Sequence, residues 1–316
     1  MNGNRRKDSF WWLATFAIAI TIVLLINTFA FTSCLIPSSG MENSLYQGDR
    51  VIVNKWSYGL RVPFSSAFSY HRWVERDVKS SDIVLFNNPR PSSLQTNIEN
   101  RNVFISRCVG VPGDTLMLNN RLELTASKII SPDAKSLYAY PQQKEDSLLQ
   151  ILKKLNIQNN ELIGFNESGF VRSFSHYEIY LLRQEIGSCF VIKPLRADSN
   201  DEVHPYVIPG KGICVRVYPW NIKLLRNTIR EHEGKQADIQ DGFLIVEGKR
   251  VPSYIFTKDY YWMCSNNSIN HSDSRLFGFV PKDHLIGKAS FVWFSKDNEG
   301  GVFEGFRWNR FFQFVK

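Results

Sequence analysis

From Phe10 through Phe31 the chain is apolar or weakly polar, and no charged residue occurs between Asp8 and Glu42. A helix needs about 20 such residues to cross a hydrocarbon core, so the run predicts one membrane-spanning helix over residues 10–32. Arg5, Arg6 and Lys7 precede it, and a positively charged flank stays on the cytoplasmic side. Trp11 and Trp12 suit the aromatic belt at the same interface. A cleaved leader would have a shorter apolar core, roughly 7 to 15 residues, and would exit through small residues. Asn27-Thr28-Phe29-Ala30-Phe31 is a poor exit of that kind, and Phe31-Thr32-Ser33-Cys34 carries Phe where a lipid-attachment box has an aliphatic residue. The expectation is an uncleaved single-pass anchor in the cytoplasmic (inner) membrane: residues 1–9 form a cytoplasmic tail, and everything after the span is extracytoplasmic.

With 316 residues and 43% hydrophobic content, the chain can hold one large domain or a domain with an insert. Its net charge of +8 favours anionic partners. No zinc finger, helix-turn-helix or aromatic-basic ribonucleoprotein box accompanies that charge, so a phospholipid membrane is the expected partner and nucleic acid is not. Cys34, Cys108, Cys189, Cys214 and Cys264 are too widely spaced for a CxxC metal site, and their odd number argues against a disulfide framework. They read as buried, inert thiols. No metal site and no cofactor is expected.

Beyond the anchor, Gly48-Asp49 opens the alternating run Arg50–Lys55, a turn feeding a strand. Further strand signals follow at Asp82–Phe86, Asn102–Val111, Thr115–Leu118, Gly212–Tyr218, Gly242–Gly248 and Tyr260–Met263. Short β-rich runs punctuated by Gly, Pro and Asp predict a mainly β fold, a twisted and partly closed antiparallel sheet. Asp146–Leu155 and His176–Ile186 have helical periodicity instead. Residues 127–202 therefore read as an inserted helical subdomain, and 33–126 with 203–316 as the β domain. The C-terminal run Trp308–Lys316 mixes aromatics and cations; lipid contact and a packed sheet edge both fit it.

Four segments, in order, resemble the type I signal peptidase (leader peptidase) family: IPSSGMENSLYQGD from Ile36, DIVLF from Asp82, FISRCVGVPGD from Phe104, and MCSNNSINHSDSRLFGFVPKDHLIGKA from Met263. The resemblance runs from Ile36 to Lys296 apart from the insert. It implies a mostly β serine peptidase at the outer membrane face that cleaves signal peptides of preproteins after small residues. Pro37, Ser38, Met41, Asp273, Ser274 and Arg275 match the family's pattern. Asp273 and Arg275 stand where the family has a supporting pair, and Met41 and Ile105 are candidates for lining a substrate groove.

The positions that do the family's chemistry differ. Gly40 stands at the nucleophile position, directly before Met41, and Ser106 at the general-base lysine position, directly before Arg107. Arg107 is no substitute, because a guanidinium keeps its proton. The family's Gly-Asp-Asn reads Ser265-Asn266-Asn267, and His271 replaces the serine that would touch the lysine. A serine nucleophile needs a neighbouring base; loss of nucleophile or base costs about 10⁶-fold in turnover in serine proteases.

Three readings follow. The chain is a signal-peptide-handling member impaired in Ser/Lys proteolysis, acting alone or with an active signal peptidase paralogue. Alternatively it cleaves by a displaced arrangement, Ser39 or Ser38 with His271 as base; the plain reading of those side chains is turn serines and a surface histidine. The third is a non-enzymatic envelope scaffold. The residues favour the first.

Overall fold

The computed structural model describes residues 3–62, 70–91, 97–124, 134–157, 160, 162–166, 169–195, 202–267, 272–297, 301 and 303–315. His271 lies outside the described residues. The chain begins with a helix, Gly3–Phe29. Its Trp11–Phe29 portion has mean hydropathy 2.1, and none of it packs inside the protein. A helix C-terminus leaves carbonyls without intrahelical donors. Here the β domain supplies them: Lys55 Nζ donates to Asn27 O at 2.7 Å and Thr28 O at 3.3 Å, and Trp56 Nε1 donates to Phe29 O. The helix end is thus tied to the turn after the second strand.

An eight-stranded, wholly antiparallel sheet follows. Its strands lie in the order Phe31–Leu35, Asp49–Asn54, Leu285–Ser295, Ile83–Asn87, Val103–Gly110, Tyr260–Cys264 and Val280–Pro281, with Gln313–Phe314 added along the long Leu285–Ser295 strand. Register slips at Arg50/Val51, Ile52/Val53 and Leu285/Gly287 are the irregularities that bend and twist a sheet, and the sheet curls into a half-barrel. Ile36, Met41, Leu45, Val51, Ile83, Ala289 and Val292 form one buried cluster at its anchor-side end. Gly48 takes φ +88°, which a side chain disfavours, and turns the chain so that its N–H reaches Ile36 O at 2.9 Å.

Both expected helices of the insert are present, as Glu145–Lys154 and His176–Ile186. The second opens on a capping box between Ser175 and Glu178. They are accompanied by a four-stranded sheet, ordered Lys193–Pro194, Lys135–Tyr140, Gly169–Ser175, Gly164–Asn166. Leu148, Leu152, Ile179 and Leu182 from the helices share a core with Tyr138, Tyr140 and Phe174 from the strands. A further helix, Ile222–His232, buries Ile222, Leu224, Leu225 and Ile229 against the rest of the β domain; the sequence reading had no helix there.

One sequence expectation is corrected: Cys108 and Cys264 are buried, but Cys189 and Cys214 are exposed and Cys34 is half-buried. His232 and His284 are buried. Arg101 Nη1 lies 2.9 Å from His284 Nε2 and Asp283 Oδ1 lies 2.7 Å from His284 Nδ1. Arginine only donates, so His284 is neutral, accepting at Nε2 and donating from Nδ1.

Candidate functional site

Pro37 and Ser38 lead into a single short turn, Ser39–Met41, whose Gly40 and Met41 are buried. The turn closes through Glu42 N–H to Ser39 O at 3.1 Å, and Leu45 N–H returns to Met41 O at 2.7 Å. Two adjacent asparagines grip it from the Ser265–Asn267 turn. Asn267 N–H donates to Gly40 O at 3.0 Å. Asn266 Nδ2 reaches Glu42 O at 3.0 Å and Ser44 Oγ at 2.8 Å.

The gripping turn is itself braced by Asp273 and Arg275. Asp273 is fully buried and caps the Ser274–Phe277 helix. Its carboxylate accepts from Ser265 N–H at 2.6 Å and from Arg275 Nη2 at 2.6 Å, and Arg275 Nη2 also donates to Asn267 O at 3.2 Å. A carboxylate with this many donors is held in one orientation.

Between the two turns and the sheet lies a cavity of about 200 Å³. Pro37, Ser38, Gly40 and Met41 form one wall, Leu85 and Val103 to Ile105 another, and Ser265 and Ser272 its polar end, with Cys34 to Ile36 at the side. Met41 and Ile105 thus meet at one cavity. Ser38 lines it, whereas Ser39 sits in the turn with its carbonyl engaged by Glu42. A larger depression of about 720 Å³, lined by Arg230, Lys235 and Asp238 among others, lies on the outer part of the β domain and holds none of the motif residues.

Chemically the cavity is sparse. Gly40 offers no side chain. Ser106 is completely buried, and its hydroxyl has no hydrogen-bond partner among the described residues. Arg107 beside it is spent on structure, donating to Ser81 O at 3.0 Å and Ser44 Oγ at 2.8 Å. Burial pushes the Cys34 thiol up, away from the thiolate a cysteine nucleophile requires. Among the described residues no three of His, Cys, Asp or Glu gather to hold a metal ion.

One lysine does reach the site, from an unexpected place. Lys135, the first residue of the insert's Lys135–Tyr140 strand, pairs with Glu42 Oε2 at 2.9 Å, its side chain wholly buried and that of Glu42 nearly so. Its backbone N–H donates to Asn266 O at 2.7 Å. No motif surrounds Lys135 in the sequence, and only the fold could reveal it.

A curled antiparallel sheet thus follows one apolar N-terminal helix, with a Ser-Gly-Met turn walling a cavity. The family model for signal peptidase, peptidase S26, matches residues 9–294, and the chain belongs to that family. It is 27% identical over 299 residues to signal peptidase I of Buchnera aphidicola subsp. Schizaphis graminum, covering 93% of this chain and 78% of the relative. To signal peptidase I of Helicobacter pylori (strain 26695) it is 23% identical over 292 residues, covering 90% and 80%. To that of Aquifex aeolicus it is 23% identical over 283 residues, covering 88% and 81%.

Proposed function

We infer that this chain binds signal-peptide segments at the outer face of the cytoplasmic membrane and does not cleave them by a Ser/Lys mechanism. The observation that carries the reading is the pairing of a cavity beside the Ser39–Met41 turn with Gly40 and Ser106 at the two positions where the family has its nucleophile and base. With no hydroxyl at the first and no amine at the second, neither nucleophile nor base is present where the family needs them. Binding requires neither.

Two strand edges flank the cavity. Among the described residues, Phe31–Leu35 pairs with Asp49–Asn54 on one side only, and Val103–Ile105 pairs with Leu85–Asn87 while the Tyr260–Cys264 strand covers the segment only from Arg107 onward. An extended peptide laid between such edges gains main-chain hydrogen bonds, and the cavity selects its side chains.

The membrane placement rests on the anchor, on the cations before it, and on an apolar face beside its end. Phe31, Leu35, Trp293, Trp308, Phe312 and Phe314 are all exposed, and Trp293 Nε1 donates to Ser33 Oγ at 2.9 Å. An exposed face of this kind marks a lipid or protein contact, and its continuity with the anchor favours lipid. A bound peptide could then be passed to an active peptidase.

The test is equilibrium binding of a fluorescent signal peptide to the full chain in nanodiscs. Saturable binding that Ile105→Trp abolishes by filling the cavity is the expected result. Absence of binding, or binding indifferent to Ile105→Trp, overturns the reading.

A further inference from the structure

We propose that Lys135 is a positioning residue of the peptide cleft, fixing both of its turns from the insert. The proposal rests on the cleft's being a peptide site. Its side chain holds Glu42, the residue after Met41, and its backbone N–H holds Asn266, the residue after Ser265. Met41 and Ser265 both line the cavity. One residue of the insert therefore ties the Met41 wall of the cavity to the Ser265 turn at its polar end.

The cost of this arrangement points to its purpose. Burying an ammonium and a carboxylate together is seldom more stabilising than apolar side chains of the same size, and such pairs are best attested as devices that select one conformation. Here the conformation selected is that of the Ser39–Glu42 turn. Asn266 adds to it by holding Glu42 O and Ser44 Oγ through its carboxamide. Apolar replacements would pack equally well but leave the turn several ways to sit. Stability and ligand affinity are thereby separable at this pair.

The experiment uses the full chain with Cys189→Ser and Cys214→Ser, which remove the two exposed thiols. Lys135→Met, Glu42→Gln and the double variant Lys135→Met/Glu42→Leu are compared by thermal midpoint, peptide affinity and rate of Cys34 alkylation. Cys34 lines the cavity, so its rate reports the cleft without any peptide. Each single variant takes away the partner at 2.9 Å from a buried charge and is expected to lose thermal midpoint. The double variant is expected to recover the midpoint, yet to bind peptide about tenfold or more weakly and to alkylate Cys34 faster. Lys135→Arg, which keeps the charge, is expected to stay nearer wild type than Lys135→Met in all three readouts. A double variant that recovers affinity and alkylation rate along with its midpoint makes the pair purely structural and overturns the proposal. Should wild-type protein bind no peptide, the function above fails by itself. Cys34 alkylation then decides the positioning role alone, a faster rate in the double variant supporting it and an unchanged rate overturning it.

Discussion

Arg310 Nη2 lies 2.6 Å from Asp49 Oδ2, joining the C-terminal segment to the fully buried carboxylate that closes the cleft loop. Ser295 Oγ donates to the same carboxylate at 2.6 Å and Tyr46 N–H at 2.9 Å. The Arg310 guanidinium also covers the Tyr46 ring, 4.3 Å from its centre, and Arg307 Nη2 donates to Gln47 O at 2.8 Å. The last turn of the chain is a strap over the loop that begins at Gly40.

Cutting the strap should be costly. Arg310→Ala leaves Asp49 buried with its closest cation gone, and breaking a buried pair typically costs about 3–5 kcal/mol. Because Arg307 Nη1 remains 3.7 Å from Asp49 Oδ1, the expected loss lies at the lower end, about 3 kcal/mol. Denaturant unfolding of Arg310→Ala beside wild type reads it; a change under about 0.5 kcal/mol, ordinary for a surface substitution, would show that the pair holds nothing.

The same strap carries Phe314, 78% exposed. If that face rests on lipid, an environment-sensitive dye on Phe314→Cys, in a chain without other accessible thiols, should emit at shorter wavelength in nanodiscs. The same dye on Phe165→Cys, an equally exposed position on the insert, should report water. Equal emission from the two sites would place the aromatic face away from the bilayer.

Acid should weaken the fold through its buried histidines. Burial, with the His284 ring packed 5.5 Å away, pushes the His232 pKa down to about 3, and burial also lowers His284. A histidine whose folded pKa is depressed contributes its full stability above the unfolded value, about 6.5, and loses it as pH falls toward the folded one. In that window the unfolded chain binds protons that the folded chain does not. Thermal midpoints should therefore fall from pH 6.5 downward, and His232→Leu should flatten the slope by up to one proton. A slope unchanged in His232→Leu would mean that this histidine charges freely in the folded state.

Local patterns revealed some parts of this molecule and concealed others. The N-terminal helix was legible because its residues form one long uncharged apolar run. The His176–Ile186 helix was legible because its apolar residues keep helical spacing. The Gly48-Asp49 turn announced the second strand, and the order of four motifs pointed to the family. The insert's sheet was hidden because Lys135–Tyr140 reads as neither period. The burial of His232 and His284 depends on a helix and a loop distant in sequence packing together, which no local pattern encodes. Lys135 illustrates this most clearly: 93 residues separate it from Glu42, and only the path of the insert brings them within 2.9 Å. Of the candidate site residues, Ser38, Met41 and Ile105 come together at the cavity, Ser106 is sealed beneath it, and Asp273 and Arg275 brace the opposite turn.

The most direct test of a binding cleft without catalysis is turnover of a preprotein by wild-type protein and by Ser39→Gly/Gly40→Ser/Ser106→Lys, side by side in detergent. The triple variant returns a hydroxyl to the nucleophile position and an amine to the base position. Wild type is expected to yield no processed product, and the triple variant to yield product that grows with time. Wild-type cleavage that disappears in Ser38→Ala, Ser39→Ala or His271→Ala would contradict this and establish a displaced catalytic pair.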